Sequence, residues 1–204
     1  MLRSMIVDSN SLTMLAIKSI FEENNISVIA ESDNGLNALR VAEELDLDLI
    51  IIDIDIKKIS GIELIEALRR SKFNKIIIVT AAKNDIFYSD VSAKIGANGF
   101  VRKKDFVKNI IGCINATLNG YGYFPSAIRN QEGFLDKDTN ALNSLSIQEI
   151  KVMKTLLNGA KNKEIAYRMG ISDKTVSTYK KRLFSKLGCN STLELMKFAD
   201  KNIL

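Results

Sequence analysis

No histidine and no tryptophan occur anywhere in the 204 residues. Without histidine there is no imidazole base, no Ser-His or Cys-His nucleophile pair and no His-ligated zinc. Only two cysteines are present, Cys113 and Cys189, far apart in the chain. Two such residues cannot form a disulfide framework, so we expect buried or incidental thiols in a reducing cytoplasm. Proline is nearly absent, with Pro125 the one example. Long apolar runs are missing too: Leu49–Ile52 and Ile76–Val79 are soon broken by charged or polar residues, so no membrane span is expected. Met1-Leu-Arg-Ser leads directly into a strand-like run, and no signal peptide is expected.

What is present is unevenly charged. Residues 1–125 hold 15 Lys/Arg against 16 Asp/Glu, whereas residues 126–204 hold 14 against 8. The net charge of +5 therefore sits in the C-terminal part, which points to an anionic partner. A membrane surface would answer that charge as well as a nucleic acid would.

Short apolar runs alternate with helical spacing through the first part. Leu2–Val7, Ser27–Glu31, Leu49–Ile52, Ile76–Val79 and Gly99–Val101 read as strands, and helical patterns follow each of them. Asn34 can cap one helix, and Ser60-Gly-Ile-Glu63 is a capping box for the next. Five βα units without a hairpin signal predict a doubly wound (βα)5 α/β domain around a parallel sheet. From Tyr121 the texture changes, and Arg129–Asn140 is polar and rich in turn formers. We place one domain at 1–122, a linker at 123–142 and an all-α domain of four helices at 143–204. Ser146-Ile-Gln-Glu149 and Ser191-Thr-Leu-Glu194 are capping boxes within that last domain.

In a doubly wound sheet, ligands gather at the carboxyl ends of the strands. Here those ends carry Asp8, Asp53, Thr80 and Lys103. Two carboxylates suit a hard cation such as Mg²⁺, and one of them can act as nucleophile toward a phosphoryl donor. Lys103 could then pair with the acyl phosphate while Thr80 hydrogen-bonds to it. Singly, each of these residues has an ordinary reading as a cap or loop residue. Together, at four strand ends, they make a site.

In the C-terminal part, Asn162–Leu187 reads as a helix, a glycine turn and a second helix with five basic residues. Val176, Tyr179, Leu183 and Leu187 would face a core, and Lys174, Ser177, Thr178, Lys181 and Ser185 the opposite side. That polar, cationic stripe suits the major groove of DNA. Ser177, Thr178 and Lys181 are best placed to reach base edges. Lys174, Thr175, Tyr179, Lys180 and Arg182 would meet phosphates, with Lys161 and Lys163 adding backbone contacts. The bland alternative is an amphipathic helix with a solvated basic face.

The motifs LIIIDIDI-x4-GIELI, IIIVTA, GANGFVRKKD and LSIQEIKVM…NKEIA…ISDKTVSTYKKRLFSKLG resemble two-component response regulators of the NarL/FixJ type. These join a receiver domain to a LuxR-type helix-turn-helix domain. GYGYFPS and KTVSTYK resemble the BvgA/EvgA branch. The resemblance implies Asp53 as phosphoacceptor, Asp8 as an acid of the metal pocket and Asp55 offering its backbone carbonyl to Mg²⁺. It also implies Thr80 and Lys103 as phosphoryl partners and Phe100 as an aromatic switch. Implied partners are promoter double-stranded DNA, a cognate sensor histidine kinase and a second copy of the chain. One departure stands out: family members carry a second acid beside the first, where this chain has Ser9, so weaker Mg²⁺ binding is expected. Two alternatives stay open, a DNA-binding factor whose receiver only dimerises, and a flavodoxin-like enzyme or nucleotide binder. The second lacks a glycine-rich loop after its first strand, where Asp8-Ser-Asn-Ser stands. We do not expect an enzyme.

Overall fold

The five apolar runs become five parallel strands: β1 (Leu2–Val7), β2 (Ile26–Ser32), β3 (Leu49–Asp53), β4 (Ile76–Ala81) and β5 (Gly99–Arg102). The computed structural model describes residues 1–83, 85–124 and 137–202. By internal contacts the chain divides into two units, Met1–Ser126 and Ala127–Leu204. Strand order in the first is β2-β1-β3-β4-β5, with every pair parallel. All five residues of central β3 are buried, as a strand covered on both faces requires. The helices that cover it are α1 (Ser11–Glu23), α2 (Gly35–Glu44), α3 (Gly61–Arg70), α4 (Asp85–Lys94) and α5 (Phe106–Leu118). On one face Ile17 and Phe21 of α1 join Ile110, Cys113 and Ile114 of α5 over Ile6, Ile51 and Ile78.

Local sequence starts these helices where the site needs them. Asn10 caps α1 by accepting from Leu12 and Thr13 N–H, and Asn34 caps α2 through Asn37 N–H. The capping box at Ser60 and Glu63 opens α3. Gly61, the first residue of α3, lies so close to the end of β3 that a Cβ there would fall 2.7 Å from Asp53 O and 2.8 Å from Ile54 Cα. Asp105 stands at the N-cap position of α5 without a side-chain cap bond, and a single 3-10 turn, Lys103–Asp105, leads into the helix.

At the opposite end of the sheet, the Arg69 guanidinium ties three segments together. It donates to Gly96 O at 2.9 Å, to Phe73 O at 2.5 Å, to Lys75 O at 2.9 Å and to Asn98 Oδ1 at 2.7 Å. Both cysteines are buried and unpaired, and burial pushes the Cys113 thiol up to about 12, which makes it a poor nucleophile.

The expected linker at 123–142 is shorter at both ends. Tyr123 belongs to the first unit: its N–H donates to Asn98 O at 3.1 Å and its carbonyl accepts from Phe100 N at 2.7 Å. This pairing covers the exposed side of edge strand β5. At the other end, Lys137–Asn143 forms a helix, α6, with Leu142 buried. Asp138 of α6 accepts from Lys201 Nζ at 2.6 Å and Asn202 Nδ2 at 3.3 Å. Residues 125–136, including Pro125 and Arg129, lie outside the described residues. The second unit thus has five helices among the described residues rather than four, the others being α7 (Ile147–Leu157), α8 (Asn162–Met169), α9 (Asp173–Leu187) and α10 (Thr192–Lys201). No helix among the described residues is long and apolar enough to cross a membrane.

Two glycines respond oppositely to the same change. Gly61→Ala forces a Cβ into backbone and should cost about 1–3 kcal/mol. Gly112 in α5 has nothing within 4 Å of a Cβ position, so Gly112→Ala should add about 0.5–1 kcal/mol. Urea unfolding of the full chain reads both as midpoint shifts of opposite sign.

Candidate functional site

The parallel topology brings four side chains together at the carboxyl ends of the strands. Asp8 follows β1, Asp53 ends β3, Thr80 lies in β4 paired in register with Asp53, and Lys103 follows β5. Lys103 Nζ stands 2.7 Å from Asp8 Oδ2 and 2.9 Å from Asp53 Oδ2, so one ammonium bridges two carboxylates. Asp8 is 2% exposed, Asp53 7% and Thr80 1%. Each carboxylate has a second anchor: Asp8 Oδ1 accepts from Asn10 N–H at 2.8 Å, and Asp53 Oδ1 from Asp55 N–H at 3.3 Å. Thr80 Oγ1 is buried with no hydrogen-bond partner.

Two negative charges and one positive charge leave this pocket net negative. Burial raises the Asp53 carboxyl above the ordinary aspartate range, and the Lys103 charge only partly opposes that. Burial pulls the Lys103 ammonium down, but hydrogen bonds and charges from Asp8 and Asp53 together hold it above the ordinary lysine value. Asp53 is consequently a poorly hydrated, relatively basic carboxylate, both of which favour nucleophilic attack.

Among the described residues, no group of three or more His, Cys, Asp or Glu could enclose a metal ion. A cation at this site would rest on Asp8, Asp53 and neutral oxygens. Ser9 does not substitute for an acid, because its hydroxyl is neutral, and it donates to Asp33 O at 3.1 Å. Asp55 is exposed, while Phe100 is 0% exposed inside β5. A cavity of about 320 Å³ lined by Leu12, Ile20, Phe106 and Val107 also reaches Thr80 and Lys103.

In the second unit, α9 is capped by Ser172, whose hydroxyl accepts from Thr175 N–H, and ends at Gly188 with a φ of 67°. Val176, Leu183 and Leu187 are buried. Lys174, Ser177, Thr178, Lys181, Arg182 and Ser185 are exposed, as are Lys161 and Lys163 near the start of α8. Tyr179 is half-buried, between the core and interface positions open to it, Thr175 and Lys180 are likewise half-buried, and acidic Asp173 occupies the first turn of α9. An acid there is favoured by the helix dipole.

The five cations of α9 are not equivalent. Lys186 Nζ donates to Glu149 Oε2 at 2.7 Å and Ser144 O at 2.9 Å, which removes it from any interface. Lys180 Nζ lies 5.4 Å from the centre of the Phe184 ring. Glu149 is the residue whose importance the sequence concealed. Its capping box with Ser146 was legible, but its burial and its pairing 37 positions away were not.

Comparison with known proteins agrees with both halves. The family model "Response regulator receiver domain" matches residues 5–114, and "Bacterial regulatory proteins, luxR family" matches residues 143–199. The chain is a NarL/FixJ-type response regulator. It is 45% identical over 201 residues to the DNA-binding transcriptional activator EvgA of Escherichia coli (strain K12), covering 98% of each chain. It is 34% identical over 203 residues to the virulence factors putative positive transcription regulator BvgA of Bordetella pertussis, covering 98% of this chain and 97% of that one. Its fold is similar to RcsB of Salmonella enterica serovar Typhimurium bound to promoter P1flhDC in the presence of phosphomimetic BeF3-, with a TM-score of 0.81 at 22% identity and 98% of each chain covered. At that identity the likeness concerns fold alone.

In this response regulator the Glu149–Lys186 pair sets a pH response for the second unit. Burial alone would raise the Glu149 carboxyl; Lys186 and the Ser146 N–H and hydroxyl together hold it below the usual glutamate range. A depressed carboxyl stabilises the fold at pH values above its unfolded pKa, and this contribution is lost as pH falls through the folded one. Glu149→Gln should therefore lower stability by about 1–3 kcal/mol at neutral pH. Urea midpoints of wild type and variant should converge as the buffer is taken into the acid range.

Proposed function

We propose that this response regulator binds promoter DNA through the exposed face of α9 and is switched by phosphoryl transfer to Asp53. The observation that carries the switch is Lys103 bridging buried Asp8 and Asp53 beside the unpartnered Thr80 hydroxyl. An Asp53 carboxylate oxygen attacks the phosphorus of a phosphorylated histidine on a cognate sensor kinase, or of a small acyl phosphate. A new P–O bond forms, the bond from phosphorus to the donor breaks, and the donor leaves with its electron pair. Oxygens of the transferred group then accept hydrogen bonds from Lys103 Nζ and Thr80 Oγ1, which satisfies the latter. Lys103 shifts its charge toward the new dianion, loosening its hold on Asp8. Phe100, three residues before Lys103 on β5, is the proposed aromatic switch.

Asp8, Asp53 and the backbone carbonyl of Asp55 are the residues that would hold Mg²⁺, which supplies positive charge to a negative pocket receiving a negative group. The donor set fits such an ion, with one charge fewer than the paired acids that the family resemblance implies, because Ser9 is neutral.

For DNA, the reading rests on the exposed cations of α8 and α9 and on the basic charge of the second part. Lys163, Lys174, Lys181 and Arg182 would neutralise phosphates or reach bases, with Thr175, Tyr179 and Lys180 beside them. A homodimer on two half-sites is the expected bound form. Leu193 and Met196 are exposed apolar residues of α10 and could serve its contact, whereas Leu195 is buried in its own unit. Such a regulator would work in the cytoplasm and turn over no substrate.

A second reading keeps DNA binding and makes the receiver a dimerisation module that needs no phosphate; the neutral Ser9 favours it. Incubation with Mg²⁺ and acetyl phosphate separates the two. The switch predicts one phosphoryl mass on wild type and none on Asp53→Asn, together with tighter duplex binding. No adduct under these conditions, with duplex binding intact, leaves the second reading. Ser9→Asp restores a second acid and should raise Mg²⁺ affinity about tenfold or more. Titration of Mg²⁺ against thermal stability measures that directly.

A further inference from the structure

The side chains on the outer face of α9 do not have equal freedom to read a base. Thr175 Oγ1 lies 2.8 Å from Ser172 Oγ within the cap. Ser177 Oγ donates to Asp173 O at 3.0 Å and accepts from Asn162 Nδ2 at 3.4 Å, tying α9 to the start of α8. Its proton and one of its two lone pairs are in use. Thr178 Oγ1 donates to Lys174 O at 3.0 Å. Its proton is also committed, but the position is exposed and no donor occupies the hydroxyl's lone pairs among the described residues. Of the neighbouring cations, Lys186 is bound to Glu149 and Lys180 lies over Phe184. Lys174, Lys181 and Arg182 are exposed and make no ion pair among the described residues; of these Lys181 stands three positions beyond Thr178 on the outer face.

We infer that Thr178 and Lys181 are the specificity-determining pair: Thr178 accepts a hydrogen bond from an exocyclic amino group, and Lys181 donates to a neighbouring guanine. This rests on the DNA-binding reading above. A hydroxyl whose proton is spent inside its own helix can only accept. In the major groove, the base-edge donors are adenine N6 and cytosine N4, while guanine offers the acceptors O6 and N7 that suit an ammonium. Residues three apart share a helix face and are displaced by about 4.5 Å along its axis. That span is close to one base-pair step of about 3.4 Å, so the two bases read are adjacent or nearly so. Ser177, expected from its position to be a third reader, instead holds α8 against α9.

The test is selection of bound sequences from a randomised duplex pool by the full chain and its variants, at one fixed salt concentration. Wild type should enrich guanine beside adenine or cytosine. Thr178→Val, which keeps the shape and removes the acceptor, should lose about tenfold of the preference for the amino-bearing base and keep the guanine. Thr178→Ser, which retains the acceptor, should restore it. Lys181→Met should lose the guanine preference, and Ser177→Ala should keep both. Unchanged preferences in Thr178→Val, or loss of both in Ser177→Ala, would overturn the assignment while leaving DNA binding in place. A wild-type chain that enriches no sequence over the starting pool would sink the DNA-binding reading itself, and this inference with it.

Discussion

A single ammonium shared by two buried carboxylates is the interaction around which the first unit is arranged. Lys103 reaches Asp8 across 95 positions of sequence and Asp53 across 50, and both contacts are under 3 Å. Taking three charges out of water is unfavourable unless they compensate one another. Here compensation is incomplete, since two negative charges meet one positive. The remainder falls on Asp53, whose carboxyl burial raises. Parallel topology makes the meeting possible, because every strand delivers its carboxyl end to the same rim. Gly61 makes it tight, since only a residue without Cβ lets α3 approach the end of β3 that carries Asp53.

The same constraint explains how much of the site was legible beforehand. Continuous apolar runs identify buried parallel strands, and the residue just after each run is then a rim residue. That logic located Asp8, Asp53, Thr80 and Lys103 without knowledge of any distance. It failed where no period exists. Lys137–Asn143 is polar, short and buries only Leu142, so composition marked it as linker although it is helical. Tyr123 pairs through its backbone with Asn98 and Phe100, a contact that side-chain patterning does not encode. The replacement of an acid by Ser9 was visible, but the turn of its hydroxyl toward Asp33 O was not.

In the second unit, charge counting and charge function diverge. Composition assigns α9 five cations. Structure ties Lys186 to the buried carboxylate of Glu149 and lays Lys180 across an aromatic ring. The helix face therefore offers fewer free cations than its sequence suggests, and back-bonded hydroxyls stand between them. A long-range ion pair has no signature in a local window, which is why the basic stripe looked more uniform than it is.

The energetic scale of a switch at the rim can be bounded from the same geometry. Phe100 is 0% exposed on β5, and drawing its ring from the core costs about 1.5–3 kcal/mol by area alone. Any such movement also strains the hydrogen bond from Phe100 N to Tyr123 O, through which the segment after α5 is attached to β5. Against that cost, a phosphoryl group on Asp53 would gain charge-assisted hydrogen bonds from Lys103 and Thr80, each about 1.5–3 kcal/mol. It would also satisfy a hydroxyl that is now buried without a partner. The opposing terms are of the same order. On this scale the proposed switch would need both bonds at the rim to offset the exposure of one buried ring, and neither bond alone would leave much margin.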